Sequence, residues 1–349
     1  MTAPMAALRK TTAEAGLELC EIERPAVGPG DVLIDVQRMA ICGTDLHIYE
    51  WDDWAAEAVP VPLTLGHEFM GVVAEVGDHV SGIEPGQRVT AEGHITCGRC
   101  RNCRAGRRHF CRNTVGIGIQ RDGAFAEYVS VPEFNVYQIP DHIDDDTAAI
   151  LDPLGNAVHT TLTFDLVGED VLITGAGPIG LMAVPIAQRA GARHVVITDL
   201  NDSRLKVAEQ LGATRAVNVG GPDGNQRLRQ VMDDLGMREG FDVGLEMSGA
   251  PPALSSMIDT LNHGGRIALL GLVPDGTAID WSDVIFKGLT LQGIYGRKMF
   301  DTWYKAAALL EEGLDIGPII GRRYPLTDFE AAFDSVRSGD VAKALFSWG

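Results

Sequence analysis

The segment Gly175-Ala176-Gly177-Pro178-Ile179-Gly180 constrains this chain more than any other. It follows an apolar run, Val171-Leu172-Ile173-Thr174, and opens an apolar stretch of helical length through Ala190. A bare G-x-G-x-x-G arises by chance in a glycine-rich chain, and this one has 41 glycines in 349 residues. Context carries the signal: a strand before it, a helix after it, and Asp199 closing the next apolar run, 19 residues beyond Gly180. A spacing of ~20 places an acid at a ribose in dinucleotide-binding βαβ units. Gly175 allows the turn, Gly177 lets a pyrophosphate approach the backbone, and Gly180 lets the helix pack on the strand, while the helix N-terminus favours phosphate charge. Asp199 would accept hydrogen bonds from ribose hydroxyls and repel a 2′-phosphate, which favours NAD over NADP. Arg204 is the counter-argument, because a nearby arginine serves a 2′-phosphate.

Around this segment, apolar runs alternate with stretches of helical length. Val195-Val196-Ile197-Thr198-Asp199, Val243-Gly244-Leu245-Glu246, Arg266-Ile267-Ala268-Leu269-Leu270 and Leu289-Thr290-Leu291-Gln292-Gly293 read as strands of a parallel sheet covered on both faces. Residues 17–139 have another texture. Short, often alternating runs such as Val32-Leu33-Ile34-Asp35-Val36 and Gly71-Val72-Val73-Ala74-Glu75-Val76, split by Gly, Pro and Asp, predict a β-rich, barrel-like unit. The acidic stretch at 141–146 and a helical segment at about 147–164 mark a junction. In the tail, Thr327 to Glu330 fits a capping box, and Phe329, Ala332, Phe333 and Val336 share one helical face before Gly339. A last strand, Ala344-Leu345-Phe346, is able to complete a sheet of the first unit, which leaves the nucleotide unit as an insertion. The length fits about two domains.

Four of the six cysteines, Cys97, Cys100, Cys103 and Cys111, lie in one short segment. Tetrahedral zinc needs four converging thiolates, and C-x-x-C turns supply them from a single loop. Such a site is closed and structural. Catalysis needs a metal with an open position. Cys42, in Ile41-Cys42-Gly43-Thr44-Asp45-Leu46-His47, and His67 with Glu68, in Leu65-Gly66-His67-Glu68-Phe69, are the candidates for it. Taken singly, a cysteine or histidine is equally read as packing. Cys20, in an alternating apolar run, reads as core.

With 29 basic against 48 acidic side chains, the net charge is −19. No local basic run is apparent to offset it, so a nucleic-acid partner is excluded as an expectation. No apolar stretch approaches the ~18 residues of a membrane span, and the N-terminus lacks the pattern of a secretory signal. The expectation is a soluble, cytoplasmic protein.

A β-rich unit with a four-cysteine lobe, a Cys and a His-Glu pair, followed by a dinucleotide unit, resembles the zinc-dependent medium-chain alcohol dehydrogenases. The match runs from about Leu33 to Trp348. Its most specific segments are 40–49, 92–98, 152–160, 241–252 and 293–297, including Asp152-Pro153-Leu154-Gly155-Asn156-Ala157-Val158-His159-Thr160 and Gly293-Ile294-Tyr295-Gly296-Arg297. The resemblance implies an α/β fold: a β-rich GroES-like catalytic domain (1–155 plus 298–349) with an inserted Rossmann, doubly wound parallel-sheet domain (156–297).

Those longer segments resemble family members that oxidise the 3-hydroxyl of L-threonine with NAD to 2-amino-3-oxobutanoate. The resemblance implies a catalytic zinc on Cys42, His67 and Glu68 and a structural zinc on Cys97, Cys100, Cys103 and Cys111. It places Asp152 where an acid approaches the metal or assists proton transfer, leaving open whether Glu68 or Asp152 contacts it. Thr44 and His47 match proton-relay positions, and Ile179, Asp199, Arg204, Leu270, Gly271, Leu272, Ile294 and Tyr295 match NAD positions, beside Gly175, Gly177 and Gly180. A homotetramer is implied, with sheet edges near 289–295 pairing between chains. Residues 220–225 look longer than their family counterpart, and the carboxylates of Trp51-Asp52-Asp53-Trp54 are an expected lure for the substrate ammonium. The alternatives are a zinc-dependent polyol or 2,3-butanediol dehydrogenase and a catalytically silent NAD- and zinc-binding structural protein.

Overall fold

The computed structural model describes residues 4–348. The chain divides into two compact units. One comprises the residues up to Asp152, Met299–Ala307 and those from Ile320 onward, and the other Pro153–Lys298 with Ala308–Ile319.

The first unit is built on a seven-stranded sheet. Its order is Val136–Gln138, Arg88–Ala91, Glu68–Val76, Asp31–Ala40, Lys343–Ser347 and Ile320–Pro325, with Tyr128–Pro132 pairing beside Asp31–Ala40. The long central strand Asp31–Ala40 is apolar on both faces because both are covered. Val32, Leu33, Ile34, Val36 and Met39 are all buried. The last strand of the chain pairs antiparallel with it, Leu345 opposite Ala40, and parallel with Ile320–Pro325. Phe69, Phe125, Phe333 and Phe346 fill the core between these strands and the tail helix.

That helix spans Phe329–Arg337, but the capping box expected at Thr327 does not form. A short 3-10 turn, Leu326–Asp328, takes those residues, and Asp328 occupies the N-cap position without a side-chain hydrogen bond. Cys20 also departs from its expectation. It lies half-buried on the strand Glu18–Glu23, which is largely exposed, rather than in the core.

The second unit carries a six-stranded, wholly parallel sheet. Its order is Arg215–Asn218, His194–Asp199, Asp170–Thr174, Phe241–Glu246, Leu261–Leu269 and Thr290–Gly293. The first crossovers run one way and the later ones the other, so the strand order reverses between Asp170–Thr174 and Phe241–Glu246, the point where doubly wound sheets bind nucleotides. All five residues of Asp170–Thr174 are buried, as a strand covered on both faces requires. Ala308–Ile319 is tied to this unit by Arg189, which donates to the carbonyls of Glu312 and Gly313.

Candidate metal centre and nucleotide site

Strand register brings the first cluster together. Ala40 lies opposite Glu68, so the chain leaving Asp31–Ala40 delivers Cys42 beside the turn that precedes Glu68–Val76. Gly66 makes that turn with φ +92°, and a Cβ there would meet the Phe125 ring at 2.3 Å. His67 and Glu68 are therefore presented by a bend that only glycine fits. Cys42 is the N-cap of the helix Gly43–Glu50, where Asp45 Oδ2 accepts a hydrogen bond from the Cys42 N–H at 2.8 Å.

A sulfur of Cys42, a ring nitrogen of His67 and a carboxylate oxygen of Glu68 lie within 4.8 Å of one another. His67 Nδ1 is buried without a hydrogen-bond partner and lies 3.9 Å from Asp45 Oδ1, itself buried and unpartnered. Burial opposes charge on the His67 imidazole, but Cys42, Asp45 and Asp152 outweigh it and hold its pKa up at about 10. Burial raises the Glu68 pKa, and Lys343 offsets this only in part. A nest of sulfur, imidazole and carboxylates that retains a proton on its histidine is one that a divalent cation fits, because the cation replaces that proton. A Cys-His-Glu donor set suits zinc with a position left open.

Asp152, on the helix Leu151–Thr161, is 9% exposed. Its charge raises the pKa of both His67 and Glu68, which sets it beside the cluster and outside the converging ligand trio. Thr44 Oγ1 lies 3.8 Å from Cys42 Sγ. His47 follows one helical turn later on the same face. Its Nδ1 is 2.5 Å from Asp52 Oδ2, and its side chain is 59% exposed. The two relay candidates thus run from the cluster toward solvent.

Sequence reasoning missed Asp45 and Lys343. Lys343 is sealed from solvent, donates to the Ile41 carbonyl at 2.9 Å and reaches both oxygens of Glu68, at 2.8 and 2.6 Å. Burial opposes its charge, but Glu68 and Cys42 outweigh burial and raise its pKa. A lone lysine in the apolar run Ala342-Lys343-Ala344-Leu345 was the available signal.

The second cluster is local. Cys97, Cys100, Cys103 and Cys111 bring their sulfurs within 4.8 Å, with Cys100 to Cys103 and Cys97 to Cys111 each at 3.5 Å. Tetrahedral zinc at ~2.3 Å from each sulfur asks for edges of about 3.8 Å. The Arg99 and Cys100 N–H groups and the Asn113 amide lower the Cys97 pKa to about 6, whereas burial pushes Cys103 up to about 12. This lobe also corrects the charge reading. Arg99, Arg101, Arg104, Arg107 and Arg112 are exposed on it, and residues 93–121 hold no carboxylate, a local positive surface that the net charge conceals.

In the second unit, Gly175 has φ +91°, and a Cβ on Gly180 would meet the Gly175 carbonyl oxygen at 1.9 Å. Gly177 caps the helix Pro178–Arg189, in which Ile179 lies, and nothing stands within 4 Å of its own ideal Cβ. Asp199 is fixed by backbone donors: Ala176 N–H to Oδ2 at 2.6 Å, and Leu200 and Asn201 N–H to Oδ1, each at 2.8 Å. A cavity of about 430 Å³ opens here, lined by Thr174, Gly175, Asp199, Gly220 and Asn225 among others. The long segment at 220–225 therefore bears on the nucleotide cavity. Arg204 sits on the helix Asp202–Gln210, its Nε buried without a hydrogen-bond partner. Leu270 and Gly271 donate to the Glu246 carbonyl, Ile294 is buried, and Leu272 and Tyr295 are left 95% and 54% exposed.

Known proteins resemble this chain in both of its units. Residues 28–141 match the family profile described as alcohol dehydrogenase GroES-like domain, and residues 178–312 match that of zinc-binding dehydrogenase. The chain is 59% identical over 344 residues to L-threonine 3-dehydrogenase of Shewanella loihica, covering 99% of this chain and all of that one. It is 58% identical, with the same coverage, to L-threonine 3-dehydrogenase of Salmonella paratyphi B. Among solved structures, a zinc-binding dehydrogenase of Sinorhizobium meliloti bound to NADP superposes with a TM-score of 0.89 at 32% identity, covering 99% of this chain and 100% of that one. The 2R,3R-butanediol dehydrogenase of Bacillus subtilis gives a TM-score of 0.89 at 27% identity, with the same coverage.

Proposed function

The chain belongs to the zinc-dependent medium-chain alcohol dehydrogenases, and from that premise we propose that it oxidises the 3-hydroxyl of L-threonine with NAD to 2-amino-3-oxobutanoate, a step of threonine breakdown toward glycine. The observation that carries the substrate is the 58–59% identity, over the whole length of both chains, with relatives named for that reaction. In this reading Cys42, His67 and Glu68 hold a catalytic zinc, and Cys97, Cys100, Cys103 and Cys111 hold a structural one. Bound in these places, zinc supplies Lewis acidity that strengthens the alcohol as an acid, and NAD supplies the hydride acceptor.

The rest falls to the chain's own residues. Thr44 receives the hydroxyl proton and His47 carries it outward, a hydroxyl and an imidazole in series. Lys343 balances the charge of Glu68, and Asp152 sets the local charge or assists the proton's departure. Gly175, Gly177 and Gly180 admit the pyrophosphate, with Ile179, Leu270, Gly271, Leu272, Ile294 and Tyr295 along the cofactor. Asp199 accepts from the adenosine ribose hydroxyls. Its carboxylate is already committed to backbone donors, so it resists turning away to admit a 2′-phosphate, which supports NAD over NADP despite Arg204.

The substrate is tested by following NADH formation with L-threonine, D-threonine, sorbitol and 2,3-butanediol. Turnover confined to L-threonine is expected. Turnover of sorbitol or butanediol without L-threonine would establish the alternative reading, and turnover of none would favour the catalytically silent one.

The same reading makes the protein a cytoplasmic homotetramer. No helix among the described residues is long and apolar enough to cross a membrane. Thr290–Gly293 is the outermost strand of its sheet, and Trp281, Ile285 and Phe286 nearby are 63%, 72% and 80% exposed, apolar surface that a second copy would cover. Light scattering on the Ile285→Asp, Phe286→Asp variant should show smaller assemblies. An unchanged mass would move the interface elsewhere.

A further inference from the structure

The relay candidate His47 does not stand alone. Its Nδ1 meets Asp52 Oδ2 at 2.5 Å, while the other oxygen of the same carboxylate accepts the Ala55 N–H at 2.9 Å and so caps the short helix Asp53–Ala58. Trp54, from that helix, sets its ring edge-on to the imidazole with centroids 6.1 Å apart. The Ala55 N–H, then His47, hold the Asp52 carboxyl below its usual range, so it is ionised. An exposed contact of this kind adds little to stability. What it adds here is orientation, because one oxygen is pinned by the cap and the other is left aimed at the imidazole.

We propose that Asp52 is a positioning residue for the dehydrogenase reaction, holding His47 in the Nδ1–H tautomer so that Nε2 is the free acceptor of the substrate's hydroxyl proton. This rests on the reading of His47 as the relay. The proton released from the alcohol oxygen arrives on Nε2, while the Nδ1–H bond to Asp52 stays intact. Nε2 then releases that proton to water, and the hydride goes to NAD. The positioning role engages both oxygens of Asp52 and is separate from the expectation that Asp52 and Asp53 attract the substrate ammonium.

Asp52→Asn separates this role from the cap, because asparagine is as good an N-cap as aspartate. Its amide NH₂ can instead turn toward the imidazole, which favours the Nε2–H tautomer, the wrong one for accepting a proton. In the zinc-loaded enzyme, kcat for L-threonine should fall ~10-fold or more, with KM within ~2-fold and Tm within about 2 °C of wild type. Ring-¹⁵N NMR of histidine-labelled protein should show the His47 signal, identified by its loss in His47→Asn, pass from the Nδ1–H to the Nε2–H pattern. In the His47→Asn background, Asp52→Asn should cost no further activity. If His47→Asn slows turnover but Asp52→Asn changes neither kcat nor tautomer, the proposal is wrong and the relay stands. If His47→Asn itself leaves turnover unchanged, the relay reading fails with it.

Discussion

Lys343 and Glu68 face each other across 2.6 Å with both side chains closed to solvent, although 275 residues separate them in the chain. The last strand thus supplies the countercharge to a carboxylate of the metal cluster.

Breaking that pair leaves a buried charge without its partner. Lys343→Met should destabilise the metal-stripped protein by about 3–5 kcal/mol in urea denaturation. Adding Glu68→Gln should restore part of the loss, because the carboxylate that Lys343 balanced is then gone. A loss below ~1 kcal/mol for the single variant would mean that the pair is not closed as described.

The two metal clusters share no residue, so they should fail independently. Cys42→Ser is expected to abolish turnover and lose the metal of its own cluster, while the Cys97, Cys100, Cys103 and Cys111 lobe keeps its zinc. Metal analysis after gel filtration checks this, and loss of all zinc would contradict it.

Zinc uptake by the lobe must expel the proton of Cys103, whose pKa burial pushes up to about 12, whereas Cys97, at about 6, is already a thiolate near neutrality. Zinc affinity there should therefore weaken as pH falls, through Cys103 over the whole range and through Cys97 as well once pH drops below about 6. Release to a chromogenic chelator at about pH 5 and about pH 7.5 measures this, and a pH-independent release would overturn it.

Asp199 sets the cofactor choice. Asp199→Ala should lower kcat/KM for NAD ~10- to 100-fold and raise it for NADP, with Asp199→Asn, which retains a side-chain acceptor, falling between them. An unchanged NAD to NADP ratio would give the choice to Arg204 or to the 220–225 loop instead.

These sites differ in how far the sequence reveals them, and the reason is contact distance. The lobe cysteines fall within 15 residues and the phosphate turn within six, so spacing alone displays their geometry. Cys42 with His67 was open as a pair because it depends on the register that sets Ala40 opposite Glu68. Lys343 shows in the sequence only as a lone lysine in an apolar run, because its partner Glu68 lies 275 residues away in the chain. The Thr327 capping box failed for a local reason: a 3-10 turn competes for the same residues. The arginine-rich lobe was hidden by averaging charge over the whole chain.

The most direct test of the account is NAD reduction by L-threonine before and after removal of the labile metal. The account predicts steady NADH formation, its loss on chelation while the lobe zinc is retained, and its return on adding zinc. NADH formation that persists at full rate without metal at Cys42, His67 and Glu68, or its absence with zinc present, would contradict it.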